Sequence, residues 1–325
     1  MNLLPSRNDL DAAAAIVYGA MPATPQFSWP LLNEALGTEA WVKHENHTPT
    51  GAFKVRGGLV YLNRLLQREP GLPGVISATR GNHGQSIAFA SRRHGVKATI
   101  VVPHGNSAES NAAMRGMGAE LIEYGDDFQA SREYANALAR KHGLHMVPPC
   151  HPDLVAGVAS YWMELFHGQP ALDTVFVPIG QGSGFCAAIA AREALGLRTR
   201  VVGVVSSHAT GYLDSFRSGE LRESPVSTQL ADGMACRRPD PGSLELVQRY
   251  ADDVVTVSDE EVARAIRLYY RATHNLAEGA GAAALAAALR LKHDPRVAGQ
   301  KVGLPLTGAN LDAEKVMRVL SEVLP

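Results

Sequence analysis

Short runs of consecutive apolar residues alternate along this chain with longer stretches of helical periodicity. VISAT (75–79), ATIVVP (98–103), ELIEY (120–124), TVFVPI (174–179), RVVGVV (200–205), DVVTVS (253–258) and KVGLPL (301–306) read as strands. Several are apolar at successive positions, so both faces would be buried, the pattern of a parallel sheet covered by helices. Between them GQSIAFASRRHG, ESNAAMRGMG and QASREYANALARKHG carry helical spacing, and each ends near a glycine, as helix C-termini often do. The predicted class is α/β, with open parallel sheets and helices on both faces.

The chain has 325 residues, too many for one comfortable core, so two lobes are expected. Breaks at HTPTG (47–51) and at the proline-rich PPCHPD (148–153) place a small lobe at 47–146 and a larger one at 1–46 with 147–325. Hydrophobic residues make up 46% and charged residues 19%, which describes a well-buried globular protein. Charge narrows the function. Lys+Arg 31 against Asp+Glu 32, with no long basic block, gives no electrostatic support for nucleic-acid or membrane-surface binding. No apolar run approaches membrane-spanning length, and the first twenty residues lack a signal-peptide pattern. Cys150, Cys186 and Cys236 are scattered, which argues against a disulfide framework or zinc site and fits a cytoplasmic setting.

Candidate chemistry sits at strand-to-helix turns. In HTPTGAFKVRGG (47–58) a rigid Thr-Pro-Thr-Gly turn presents Phe53 and Lys54. Lys54 reads either as a helix-start lysine whose amine reaches solvent, or as a desolvated lysine that loses its proton and acts as a nucleophile. Beyond it, Val-Arg-Gly-Gly allows another backbone to approach closely. In PIGQGSGF (178–185), glycines bare N–H groups where a helix begins, with Gln181 and Ser183 adding polar side chains. The run reads as a phosphate cradle or as a tight packing turn. It is neither a P-loop nor a good dinucleotide fingerprint. SATRGNHGQS (77–86) offers Asn82 and His83 at a strand's C-terminal end, where open α/β sheets bind ligands. His83 is a candidate general base, or a capping or core histidine. LPLTGAN (304–310) puts the Thr307 hydroxyl at a fourth strand end.

Together these turns resemble the fold-type II pyridoxal-phosphate enzymes (tryptophan synthase beta-like), in particular the serine/threonine dehydratase (ammonia-lyase) and serine racemase family. KHENHTPTGAFKVRGG resembles the family's lysine motif, TRGNHGQ its substrate loop, GQGS its tetraglycine phosphate loop and LTGAN its Ser-Gly-Gly-Asn. ADGMACRRP (231–239) and LAEGAGAAALAA (276–287) also match the family's text. The resemblance runs in order from about residue 20 to 312. It implies pyridoxal 5′-phosphate carried by Lys54, which then moves the substrate's Cα proton. It implies Phe53 packed near the cofactor, Asn82 on its phenolic oxygen, Gly180, Gln181, Gly182, Ser183 and Gly184 around its phosphate, and Thr307 at its pyridine nitrogen. Thr79, Arg80, Gly81, Asn82 and His83 would line the place of the substrate carboxylate. The implied activity is loss of water from a 3-hydroxy amino acid, L-threonine or L-serine favoured, to give a 2-oxo acid and ammonia. The implied assembly is a homodimer.

The departures refine this. Arg80 stands where racemases place their opposite-face serine, and a guanidinium does not ordinarily deprotonate, so little racemisation is expected. Arg80 could instead grip a second carboxylate, which would make 3-hydroxyaspartate the substrate, or point away and play a structural part. Phenylserine is a further alternative. A β-replacement transferase is a rival reading that His83 argues against, because those enzymes usually carry threonine there. Val205 and Gly211 occupy the family's cation-ligand positions, with only His208 near, so no divalent-metal site is expected. GVAS (157–160), where relatives read Gly-Gln-Gly-Thr, would alter either the substrate pocket or the packing beneath it. Ala309 replaces a glycine.

Overall fold

The computed structural model describes residues 4–321. Its strands, in chain order, are β1 (Gln26–Ser28), β2 (Ala40–His44), β3 (Val75–Ala78), β4 (Ala98–Val102), β5 (Glu120–Glu123), β6 (His145–Met146), β7 (Thr174–Pro178), β8 (Arg200–Ser206), β9 (Asp253–Val257) and β10 (Val302–Leu306). They form two sheets. The six-stranded sheet runs β1-β2-β10-β7-β8-β9 and the four-stranded sheet β5-β4-β3-β6. Every pairing is parallel except that of the edge strand β1 with β2. The α/β class and parallel sheets agree with the pattern along the chain, and all seven expected runs contain strands.

Three strands were not expected, each for a physical reason. β1 has an exposed Phe27 and sits on an edge, and β6 is two residues long. β2, AWVKH, carries a lysine and a histidine that a hydrophobic pattern scores as surface, yet both are buried. β10 is a central strand that contains Pro305. Proline has no N–H to give a ladder, and the β10–β7 pairing is confined to Val302 and Gly303.

Helices cover both sheets. The helix Lys54–Arg68 packs on Asn82–Arg93 on one side and Pro152–Gly168 on the other. The second crossing is close because both partners offer glycine. A Cβ on Gly157 would lie 2.3 Å from the Arg56 carbonyl oxygen, and one on Gly57 would lie 2.9 Å from the Leu154 carbonyl oxygen. The close backbone approach expected after Lys54 is therefore present. It also decides the place of the GVAS segment, which packs beneath the lysine helix rather than beside a ligand. Ser160 Oγ accepts from Arg56 Nη1 at 2.9 Å and donates to the Gly157 carbonyl at 2.7 Å.

The apolar core divides into one large cluster between the sheets, a second under β2, β7, β8 and β10, and a small one behind β3 and β4. The carboxyl ends of β2, β3, β7 and β10 lead into the four turns singled out above, the end of an open α/β sheet where ligands bind. Among the described residues, no helix is long and apolar enough to cross a membrane.

Candidate active site

The lysine turn is fixed before its helix begins. Thr48 Oγ1 accepts from the Ala52 N–H and donates to the Ala52 carbonyl, both at 2.9 Å. Gly51 adopts φ +67°, and a Cβ there would meet Asn310 Oδ1 at 2.6 Å, so a side chain is excluded on both counts. The turn is stitched to the one after β10: the Phe53 N–H donates to the Thr307 carbonyl at 3.0 Å, and Ala52 bridges Gly308. Lys54 opens the helix with Nζ 4.8 Å from the centre of the Phe53 ring. Burial lowers its pKa, opposed by the acids of Glu278 and Cys150 nearby. The net direction favours the neutral amine, the form able to attack a carbonyl.

Behind that turn lies a buried ionic cluster. Arg56 bonds Glu45 through Nε (2.7 Å) and Nη2 (3.0 Å), and Glu164 through Nη1 (2.6 Å) and Nη2 (3.1 Å). Lys43 meets Glu164 at 2.5 Å. Two cations and two carboxylates balance in charge, and none of the four side chains exceeds 8% exposure. The cluster ties β2 and the turn Glu45–His47 to the helix that carries Lys54.

The glycine run follows β7. Gly182 has φ +95°, and its Cβ would overlap the Ser243 side chain. It caps the helix Ser183–Ala194 with no side-chain bond, so the first N–H groups of that helix have no partner from the cap. With the positive end of the helix dipole, they make a site for an anion. Gln181 Nε2 donates to Cys236 Sγ at 3.5 Å.

All the residues expected to hold the cofactor, from Phe53 to Thr307, line one recess. Of those expected at the substrate carboxylate, only Asn82 is among the lining residues. Thr79 is buried, with Oγ1 accepting from the Gly81 N–H at 3.4 Å. Gly81 is half-buried. Arg80 is exposed. Its carbonyl accepts from Asn106 Nδ2 at 3.0 Å, and its guanidinium makes no ion pair among the described residues. His83 has a buried Nε2 without a hydrogen-bond partner among the described residues, and burial, then the charge of Lys54, lowers its pKa to about 3. The imidazole is thus neutral at ordinary pH, available for hydrogen bonding and too weak to serve as a base.

Among the lining residues that the sequence did not mark as site residues are Tyr161 and Glu278. Tyr161 is fully buried, and its ring packs edge-on against Phe53 at 6.0 Å. It lies in a helix apolar nearly all round, so periodicity gave it no distinction. Glu278 precedes the alanine-rich helix Gly279–Arg290 and reaches Asn82 Nδ2 with both carboxylate oxygens, at 2.8 and 3.0 Å. A lone acid ahead of an apolar helix was a visible signal, but nothing local says that it faces Lys54.

Comparison with known proteins supplies the decisive observation. Residues 17–308 match the family described as "Pyridoxal-phosphate dependent enzyme". The chain belongs to the pyridoxal-phosphate dependent enzymes. It is 33% identical to an L-threonine ammonia-lyase of Thermotoga maritima, over 90% of this chain and 73% of that protein. It is 30% identical to an L-threo-3-hydroxyaspartate ammonia-lyase of Saccharomyces cerevisiae, over 98% and 97%. The solved threonine deaminase isoform 2 of Solanum lycopersicum superposes with TM-score 0.90 at 25% identity, over 99% of this chain and 96% of that one.

The residues present fit pyridoxal 5′-phosphate. A desolvated amine suits its aldehyde, and an uncapped helix start its phosphate. This pyridoxal-phosphate enzyme gives up stability to keep Glu278 in the recess, where burial raises its pKa from 4.5 to about 7, against the Asn82 hydrogen bond and the Lys54 charge. Between those values the folded chain keeps a proton that the unfolded chain releases, so stability falls as pH rises through that window and then levels off. In cofactor-free protein, Glu278→Gln therefore raises stability on the order of 2 kcal/mol at roughly pH 8, with the gain shrinking toward roughly pH 5. Urea unfolding at the two pH values checks this.

Proposed function

We propose that this enzyme is an ammonia-lyase that removes water from a 3-hydroxy amino acid, L-threonine or L-serine favoured, to give a 2-oxo acid and ammonia. The observation that carries the reading is the placing of the Lys54 amine in one recess with the glycine-rich helix start, Asn82 and Thr307. Pyridoxal phosphate, when bound, supplies the electron sink that weakens the substrate's Cα–H bond. Lys54 takes the Cα proton as general base, its lowered proton affinity keeping a share of the amine neutral. Residues 180–184 hold the phosphate, Phe53 packs near the ring, Asn82 meets the phenolic oxygen, and Thr307 meets the pyridine nitrogen with a hydroxyl rather than a carboxylate. The loop from Thr79 to His83 receives the substrate carboxylate. Arg80 offers no base on the opposite face, so elimination dominates over racemisation.

The lobes are proposed as 1–46 with 147–325, and 47–146. The two separate sheets support that division. The free cysteines support a cytoplasmic setting. A homodimer follows from the resemblance.

A second reading has its own observation. The exposed guanidinium of Arg80, free of any ion pair among the described residues, stands in the substrate loop and could receive the second carboxylate of 3-hydroxyaspartate. Release of 2-oxo acid from L-threonine, L-serine, 3-phenylserine and 3-hydroxyaspartate, with and without sulfide, tests both readings. The favoured reading expects L-threonine or L-serine to lead, sulfide to leave the product unchanged, and Arg80→Ala to alter kcat/KM for them by less than about 5-fold. Dominance of 3-hydroxyaspartate, with a loss of about 10²-fold in Arg80→Ala, makes Arg80 the carboxylate clamp.

A further inference from the structure

Asn82 is held at both ends of its carboxamide. Its Oδ1 accepts from Asn310 Nδ2 at 2.8 Å, and its Nδ2 donates to Glu278. Asn310 is itself fixed, since the same Nδ2 donates to the Thr50 carbonyl at 2.8 Å. An ionised carboxylate only accepts and an amide nitrogen only donates, so these two partners permit one orientation of the Asn82 amide. Glu278 is anchored through its backbone, its N–H donating to the Gly308 carbonyl at 3.0 Å. The three side chains come from three elements: the substrate loop, the turn after β10 and the start of the helix Gly279–Arg290. A neutral aliphatic group at 278 would leave the Asn82 carboxamide held at its oxygen alone.

We propose that Glu278 is a positioning residue of this site, holding the Asn82 carboxamide with its nitrogen toward the phenolic oxygen of bound pyridoxal phosphate. The inference rests on the placing of Asn82 proposed above. Glu278 acts through Asn82, and it does so best when ionised, with both oxygens accepting. The groups that face it are the Lys54 amine, the Asn82 amide, the backbone of Asn310, and Asp232, itself paired with Lys315 at 3.4 Å. Of these, only Lys54 and Asp232 carry charge toward it, with opposite signs. Its proton affinity lies at about 7, so the hold on Asn82 weakens on the acid side of neutrality.

The test uses purified holoenzymes of wild type, Asn82→Ala, Glu278→Ala, Glu278→Gln and the double alanine variant. Two readouts stand apart from turnover: the dissociation constant of pyridoxal phosphate, and the pH dependence of its bound visible absorbance. The expected result is cofactor binding weakened about 10-fold in Glu278→Ala, with the double variant no worse than Asn82→Ala alone. Glu278→Gln, which keeps one acceptor and nearly the same shape, retains most of the affinity but loses the pH dependence of the absorbance that an ionising Glu278 imposes. It keeps the test decisive if the alanine variant does not fold. Additive losses, or Glu278 variants with wild-type affinity and pH dependence beside an impaired Asn82→Ala, overturn the inference. Wild-type behaviour of Asn82→Ala instead overturns the placing of Asn82, and the inference with it.

Discussion

Replacing Lys54 with alanine is expected to lower kcat by at least about 10³-fold, because in the proposed mechanism Lys54 is both the nucleophile for the cofactor and the base for the substrate proton. The fold should survive. Among the described residues Lys54 makes no salt bridge, and its amine stands beside the Phe53 ring at the first turn of a helix held by other residues. Circular dichroism and thermal melting should therefore match wild type, while 2-oxo acid release from L-threonine and L-serine disappears. An unfolded variant would show that the amine is structural. A folded and active one would remove Lys54 from the chemistry altogether.

The largest stability effect is expected at Arg56. Arg56→Met leaves Glu45 and Glu164 buried with only Lys43 to balance them, and removal of one partner from such a pair costs about 3–5 kcal/mol. The five N–H groups of the Arg56 guanidinium meet six acceptor atoms on Glu45, Glu164, Ser160 and Thr24, one N–H being shared, so Arg56→Lys cannot reproduce them with three donors from one atom. Adding Glu45→Gln to Arg56→Met should restore about 1–2 kcal/mol, since one uncompensated charge is then gone. Urea denaturation of the two single variants and the double closes the cycle. Equal stability of wild type and Arg56→Met would mean that water or local rearrangement solvates the carboxylates. The cluster also bears on Lys54, two residues ahead of Arg56, because it fixes the same turn of helix.

Much of this architecture is legible in the sequence because parallel strands announce themselves. VISAT, TVFVPI and RVVGVV are apolar on both faces, and no surface strand of an ordinary protein reads that way. The site is legible for a related reason. Its turns need glycine where the backbone is crowded, as at Gly51 and Gly182, and such positions leave a mark in the text. What stayed hidden is long-range polar pairing. Lys43 and His44 look like surface residues until Glu164 and Trp29 supply their partners from other elements. Glu278 looks like a helix-start acid until Asn82 meets it. Neither pairing has a local period, because each depends on strand order, which hydrophobic patterning does not record. Arg80 is a different case: its residue type excludes one role at once, while its preferred partner depends on a ligand.

The proposed mechanism requires Lys54 to be the residue that holds pyridoxal phosphate. The most direct measurement is borohydride reduction of the holoenzyme, followed by proteolysis and mass spectrometry of every lysine-containing peptide. A pyridoxyl group is expected on the peptide that contains Lys54 and on no other. A modified Lys43 or another lysine, or no modified peptide from a cofactor-loaded protein, would contradict it.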